Sequence, residues 1–381
     1  MLFDLETLQV IWWVLVAVLL IGFALTNGMD MSVSALMFAV GKNSDERRVV
    51  ISTIGPHWDG NQVWLLTAGG ASFAAWPEVY AAAFSGLYWA MILVLFCIWL
   101  RPLAFDYRNH NHSGSDSWFK NWDITLVVGS LIPPLIFGVA FGNLLQGLPF
   151  HADENLRWFY EGYFLSALLP LLNPFAILCG LVSVCMLFTL AAMWIQLRTA
   201  DEIGNRAKPI AMWCGIATVV LFIIAGLWAY TFDGWKLAAL PPEGSVHLIL
   251  GKTVESVPNG LFENYANYPV TAVVPIFAIL FMLGGAVQGG RGNAVKGALY
   301  SALGIALIIL TPLVALFPFI MPSTVDPASS LTIWDATSSH MTLNNMLICV
   351  VIFLPIALIY TVWAYAKMWN KASVDNAISY H

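Results

Sequence analysis

Charge is what this chain has least of: only 10% of its 381 residues are Asp, Glu, Lys or Arg. A soluble globular chain carries about a quarter, so a water-soluble fold is excluded before any motif is read. Cysteine is scarce as well. Cys97, Cys179, Cys185, Cys214 and Cys349 all fall in apolar stretches without a C-x-x-C pair, which excludes a disulfide framework or a cysteine-held metal and leaves five small packing residues. Histidine avoids the apolar stretches. His110, His112, His151, His247, His340 and His381 fall in expected loops or the tail, and only His57 sits beside a span. A membrane haem needs a ligand aimed inward from a helix, so no haem or metal ligand and no catalytic residue is expected in this chain. No basic patch with interleaved aromatics is present, so nucleic acid is not an expected partner. No linker or low-complexity run divides the sequence, which reads as a single membrane domain, 1–381.

What fills the chain is apolar: 59% of residues are hydrophobic and mean hydropathy is +0.77. Stretches of at least ~18 apolar residues, enough to cross ~30 Å of hydrocarbon, lie near 10–40, 51–75, 79–100, 124–146, 171–197, 209–232, 268–289, 295–320 and 343–366. The expected fold is all-α and polytopic, with about nine spans embedded in a lipid bilayer. Two four-helix bundles and one peripheral helix fit that count. Cations alternate sides: thirteen, among them Lys42, Arg47, Arg48, Arg101, Arg108, Arg198, Arg206 and Lys371, fall on one side, and only Arg157, Lys236 and Lys252 on the other. The positive-inside rule then places the C-terminus in the cytoplasm and the N-terminus outside. Asp4 and Glu6 precede the first span where a signal peptide would be basic, so that span is read as retained.

Polar residues that interrupt apolar runs carry the functional signal, because a carboxylate at a helix centre costs roughly 2.5–3.5 kcal/mol on insertion scales. Asp30 follows Asn27-Gly28-Met29 in the first span, and Asp59 lies in the polar run Pro56-His57-Trp58-Asp59-Gly60-Asn61-Gln62-Val63-Trp64. Both acids read as proton carriers or headgroup ligands; the plainer alternative makes them buried anchors for Arg101. His57 reads as structural or as a proton relay. Asn, Ser and Thr around 141–147 and 321–339 are explained mainly by capping, with Asp335, Thr337 or Ser338 expected to cap the last helix. Acids beside glycines also admit a second class of function, a proton-coupled secondary transporter with a midplane site.

The ordered series Ile11-Trp12-Trp13, Gly28-Met29-Asp30-Met31, Pro56 to Trp64, Ala68-Gly69-Gly70-Ala71, Arg101-Pro102 with Phe105-Asp106-Tyr107-Arg108, Phe141 to Gly147 and Trp334 to Ser339 resembles subunit II of cytochrome bd ubiquinol oxidase. The resemblance runs through nearly the whole chain. It implies a bacterial inner-membrane heterodimer whose larger subunit I holds haem b and haem d and oxidises quinol, with oxygen reduced to water. A small accessory subunit, a bound ubiquinone and an oxygen route belong to the same expectation. Carried onto this sequence, Asp30 and Asp59 become proton-pathway carboxylates served by Arg101 and His57, and Trp58, Trp64 and Asn61 become candidates for lining a quinone or oxygen route. One departure stands out: the family's Asp-Gly-Phe-Asp reads Asn27-Gly28-Met29-Asp30 here, so the first acid is gone.

Overall fold

The computed structural model describes residues 3–110, 115–160, 168–240 and 249–374. His112, His247 and His381 lie outside them. The chain opens with α1 (Leu5–Phe23), a π-helical turn (Ala24–Gly28), α2 (Met29–Ala35) and α3 (Met37–Val40), which together make up the first expected span. There follow α4 (Ser44–Ser52), α5 (Trp58–Ala75), α6 (Pro77–Gly86), α7 (Tyr88–His110) and α8 (Asp116–Gln146). A hairpin, β1 (Phe150–Ala152) and β2 (Trp158–Tyr160), leads to α9 (Pro174–Arg198) and α10 (Asp201–Ala229). A second hairpin, β3 (Asp233–Ala239) and β4 (Thr253–Pro258), precedes α11 (Glu263–Asn267), α12 (Val273–Gly290) and α13 (Ala294–Leu316). A third, β5 (Phe319–Met321) and β6 (Leu331–Thr332), precedes α14 (His340–Lys367).

The protein is all-α apart from these short antiparallel hairpins. Among the described residues eight helices are long and apolar enough to cross a membrane, one fewer than the sequence count. The difference lies at the second expected span. Residues 51–57 are the end of α4 and a turn, and α5 has eighteen residues with Asp59, Asn61 and Gln62 in its first turns. Its length is still about 27 Å at 1.5 Å per residue; its polarity is what sets it apart. The third expected span, 79–100, is broken at Leu87. The ring of Tyr160 on β2 lies where a side chain at Gly86 would stand, and the chain restarts as α7.

Helix starts follow capping rules. Asp4, Asn43, Ser115, Asn173 and Ser339 each accept a backbone N–H of the first turn, satisfying donors that a helix leaves orphaned. Ser339, not Asp335, Thr337 or Ser338, caps the last helix. Asp335 instead takes Thr332 N at 2.9 Å and the ammonium of Lys252 at 2.7 Å.

The main core joins α2, α8, α9, α10, α12 and α13 through Met29, Val33, Leu187, Leu190, Met193, Met282 and Ile305, among others. Apolar burial gives no net drive between helices in lipid, so close packing must hold them. Gly138 and Gly142 of α8 supply it: a Cβ at Gly138 would lie 2.7 Å from the Cα of Gly180, and one at Gly142 would lie 2.7 Å from the Cα of Ala176, both on α9. The three hairpins gather at one end of the bundle, tied by Leu148 to Ser323 and by Trp235 Nε1 donating to Ser323 O at 3.2 Å. The cation-rich end lies opposite. There Asp123 accepts from Arg47 Nε at 2.6 Å and Arg108 Nε at 2.5 Å, and Glu46 accepts from Arg206 at 2.7 Å. The last helix is the least buried of the eight, and is fastened at its ends: Trp12 Nε1 donates to Leu343 O at 3.1 Å, and Arg198 donates to Met368 O and Asn370 O.

Candidate functional site

The π turn carries the chain directly into Asp30, on the first turn of α2 and without solvent exposure. Its Oδ2 accepts from Asn61 Nδ2 at 2.6 Å, and His57 Nδ1 lies 3.5 Å from Oδ1. Asn61 reaches Asp30 because it stands on the buried side of α5. His57 precedes that helix, with Nε2 at 3.2 Å from Thr53 O. Asp59 is two residues from Asn61, about 200° around a helix, and is exposed. The structure therefore separates the two acids that the sequence paired: Asp30 faces inward and Asp59 outward.

Arg101 is fully buried on α7, yet no ion pair joins it to Asp30 or Asp59 among the described residues. Its guanidinium reaches Asn27 Oδ1 at 3.4 Å and lies 5.7 Å from the ring of Trp58, within reach of a cation–π attraction. Trp58 also stacks on Phe105 at 4.8 Å. Arg101 and Trp58 thus form a second layer beside Asn27. Trp64 stands apart, its ring packed over Gly22 of α1. Asn61, expected on a quinone or oxygen route, is placed on the Asp30 carboxylate.

Two aromatic residues were missed by the sequence reading. Tyr365, near the end of α14, accepts from Asn61 Nδ2 at 2.6 Å and stacks on His57 at 4.6 Å. Trp194 of α9 meets His57 edge-on at 5.3 Å. Nothing in sequence spacing links position 365 to 57 or 61; the one available signal is a tyrosine near the end of a span, a place usual for an interfacial anchor.

A cavity of about 570 Å³ lies between α1, α8, α9, α10, α12 and α13, within the size range of small-molecule sites. Phe23, Met31, Phe141, Met186 and Phe222 are among its walls, and neither Trp58, Asn61 nor Trp64 lines it. Three of its hydroxyls are committed: Tyr265 donates to Thr311 O, Ser183 to Pro134 O and Thr311 to Leu307 O; the phenol of Tyr230 also lines it. The apolar walls would suit the isoprenoid part of a ubiquinone. Among the described residues no group of His, Cys, Asp and Glu is arranged to hold a metal ion, and both nitrogens of His57 face protein atoms.

The model of the family described as cytochrome bd terminal oxidase subunit II matches residues 8–368. The chain is 46% identical over 374 residues to the cytochrome bd-I ubiquinol oxidase subunit 2 of Escherichia coli strain K12, covering 98% of this chain and 97% of that one. It is 45% identical over 372 residues to a probable cytochrome oxidase subunit 2 of Haemophilus influenzae, with the same coverage. In three dimensions it resembles a chain in the structure of the bd oxidase from Geobacillus thermodenitrificans, with a TM-score of 0.67 over 96% of this chain and all of that one, at 14% identity. The transporter alternative finds no support among these relatives.

Proposed function

The chain belongs to the cytochrome bd terminal oxidase subunit II family and is a membrane-spanning subunit of an oxygen-reducing quinol oxidase, and on that premise we propose that it conducts cytoplasmic protons through Asp30 toward a haem-bearing partner subunit. The observation that carries this reading is the Asp30 site itself. A carboxylate without solvent contact is held by a neutral amide at 2.6 Å and an imidazole at 3.5 Å, with no arginine or lysine in ion-pair contact with it among the described residues. Intramembrane carboxylates are expensive and mark ion pathways.

The partner's b- and d-type haems would carry the electrons and reduce oxygen to water. This chain's residues bind and orient. Asn61 fixes one oxygen of Asp30, His57 faces the other, and Arg101 supplies positive charge beside Asn27. The site lies toward the cation-rich end, which the positive-inside rule places in the cytoplasm, with the N-terminus outside. Asp59 has a different part. It shares the exposed face of α5 with Gly60, Val63 and Leu66, and a side chain at Gly60 would meet nothing within 4 Å. A carboxylate on a lipid-facing surface is disfavoured, so this face is covered by the partner subunit, and Asp59 hands protons across that contact.

The test is oxygen consumption by the assembled two-subunit enzyme. Asp30→Asn should slow turnover at least about a hundredfold, the lower end of what a positioned proton-transfer group contributes, with the haem spectrum intact. Asp59→Asn should slow it too. Full turnover in Asp30→Asn with all haems present would remove Asp30 from the proton path.

A further inference from the structure

Asn61 Nδ2 has two hydrogens and three neighbours: Asp30 Oδ2 at 2.6 Å, Tyr365 Oη at 2.6 Å and His57 Nδ1 at 3.2 Å. Its orientation is fixed, because the amide oxygen would repel the carboxylate. The two short contacts take both hydrogens. Tyr365 Oη therefore accepts from Asn61, and its own hydrogen points elsewhere; His57 Nδ1, 3.4 Å away, is the acceptor in place. His57 Nε2 faces the carbonyl of Thr53 at 3.2 Å, so Nε2 carries the hydrogen and Nδ1 of the neutral ring holds the lone pair. Across that nitrogen, at 3.5 Å, stands Asp30 Oδ1, which has no other hydrogen-bond partner among the described residues.

We propose that Tyr365 is a proton-relay residue of this oxidase, passing protons from its hydroxyl to His57 Nδ1 and thence to Asp30 Oδ1. Burial deepens along the line: Tyr365 is half-buried, His57 is 6% exposed and Asp30 is 0% exposed. Tyr365 stands three positions before Met368, whose carbonyl Arg198 holds at 2.8 Å, so the start of the relay is tied to the cation-rich end. Each step conserves protons. The Tyr365 O–H breaks as an N–H forms on His57 Nδ1, and a proton from the cytoplasmic side restores the phenol. The N–H then breaks as an O–H forms on Asp30 Oδ1, returning His57 to neutral. Asn61 moves no proton; it holds Tyr365 Oη and Asp30 Oδ2 so that only Oδ1 is left to receive one.

The inference rests on Asp30 carrying protons, so the two are tested side by side in the purified two-subunit enzyme. Tyr365→Phe keeps the ring on His57 and removes only the hydroxyl. The expected result is turnover slowed about a hundredfold or more, with haem content and the quinol KM unchanged and a larger solvent deuterium isotope effect. Tyr360→Phe, on an exposed face of the same helix, should match the parent. If Asp30→Asn is slow while Tyr365→Phe keeps the parent's rate and isotope effect, the relay is overturned and the Asp30 reading survives. If Asp30→Asn is also at the parent's rate, both fall. Should Tyr365→Phe assemble with reduced haem, 3-fluorotyrosine at position 365 decides: it keeps ring and hydroxyl but changes the acidity, so a changed isotope effect supports the relay and an unchanged one overturns it.

Discussion

Asp30, Asp123 and Asp335 are all withdrawn from solvent, and what faces each decides what it can do. Asp123 is gripped by two guanidinium groups and Asp335 by one ammonium, so both are structural anions. Asp30 touches an amide and an imidazole, neither a permanent cation, which is the setting that the proposed proton role needs. The Lys252–Asp335 pair shows the cost of the structural kind. Burial lowers the pKa of Lys252 and raises that of Asp335, each against the pull of its partner. A depressed lysine and an elevated carboxylate each count against the folded state near neutral pH, since each is charged there at the expense of its desolvation, and only their mutual attraction offsets it. Lys252→Met alone should therefore destabilise by about 3–5 kcal/mol, whereas Lys252→Met with Asp335→Leu should recover most of that. Thermal unfolding of the purified complex, read together with proteolysis of the β3–β4 hairpin, would check both; equal loss in single and double variants would refute the pairing argument.

At the scale of elements, the close approach of α8 and α9 carries the fold. Gly138 and Gly142 lie four residues apart and meet Gly180 and Ala176 almost backbone to backbone, the small-residue contact that membrane helices use. Gly142→Leu should force the pair apart at a cost of roughly 1–3 kcal/mol, seen as a lower unfolding temperature and a poorer yield of assembled enzyme. An unchanged melting curve would show that the helices are held elsewhere. Gly147, just past the end of α8, has φ of +79° and lies under the ring of Trp235, so the chain turns into the hairpin end where only glycine sits without strain. The sequence showed the helices well because hydropathy records burial in lipid directly. It showed α5 and α6 poorly, because α5 carries Asp59, Asn61 and Gln62 in its first turns, and the break after Gly86 lies against Tyr160, a contact beyond the local pattern. The site was half legible. Asp30, His57 and Asn61 announced themselves by polarity in an apolar run, whereas Tyr365 carried no such signal and the direction of Asp59 depended on helix phase.

For the whole molecule, one flank is unfinished. Val63, Leu66 and Phe73 on α5 and Phe96 and Trp99 on α7 are exposed, and α14 is clasped at its ends with little cover along its length. An acid and an open glycine on the same surface of α5 argue for a protein occupant there, the place that the proposed function gives to the partner subunit. Leu66→Lys places a charge in that contact at about 2.5–3.5 kcal/mol on insertion scales. It should reduce recovery of the partner subunit with this chain, whereas the same change at Leu299, exposed on α13, should not. Equal recovery in both would place the partner elsewhere.

The five residues of the π turn, Ala24–Gly28, have a consequence for how this site is inherited. A π turn takes up one residue more than an α turn, so every side chain after it is clocked by roughly 100° relative to those before. The heading of Asp30 is therefore a matter of counting: remove any one residue between 24 and 28 and the acid swings away from Asn61 with every member of the site still present. Relatives are comparable at this acid only where that extra residue is kept, and a single-residue deletion there would be invisible in a list of matched motifs.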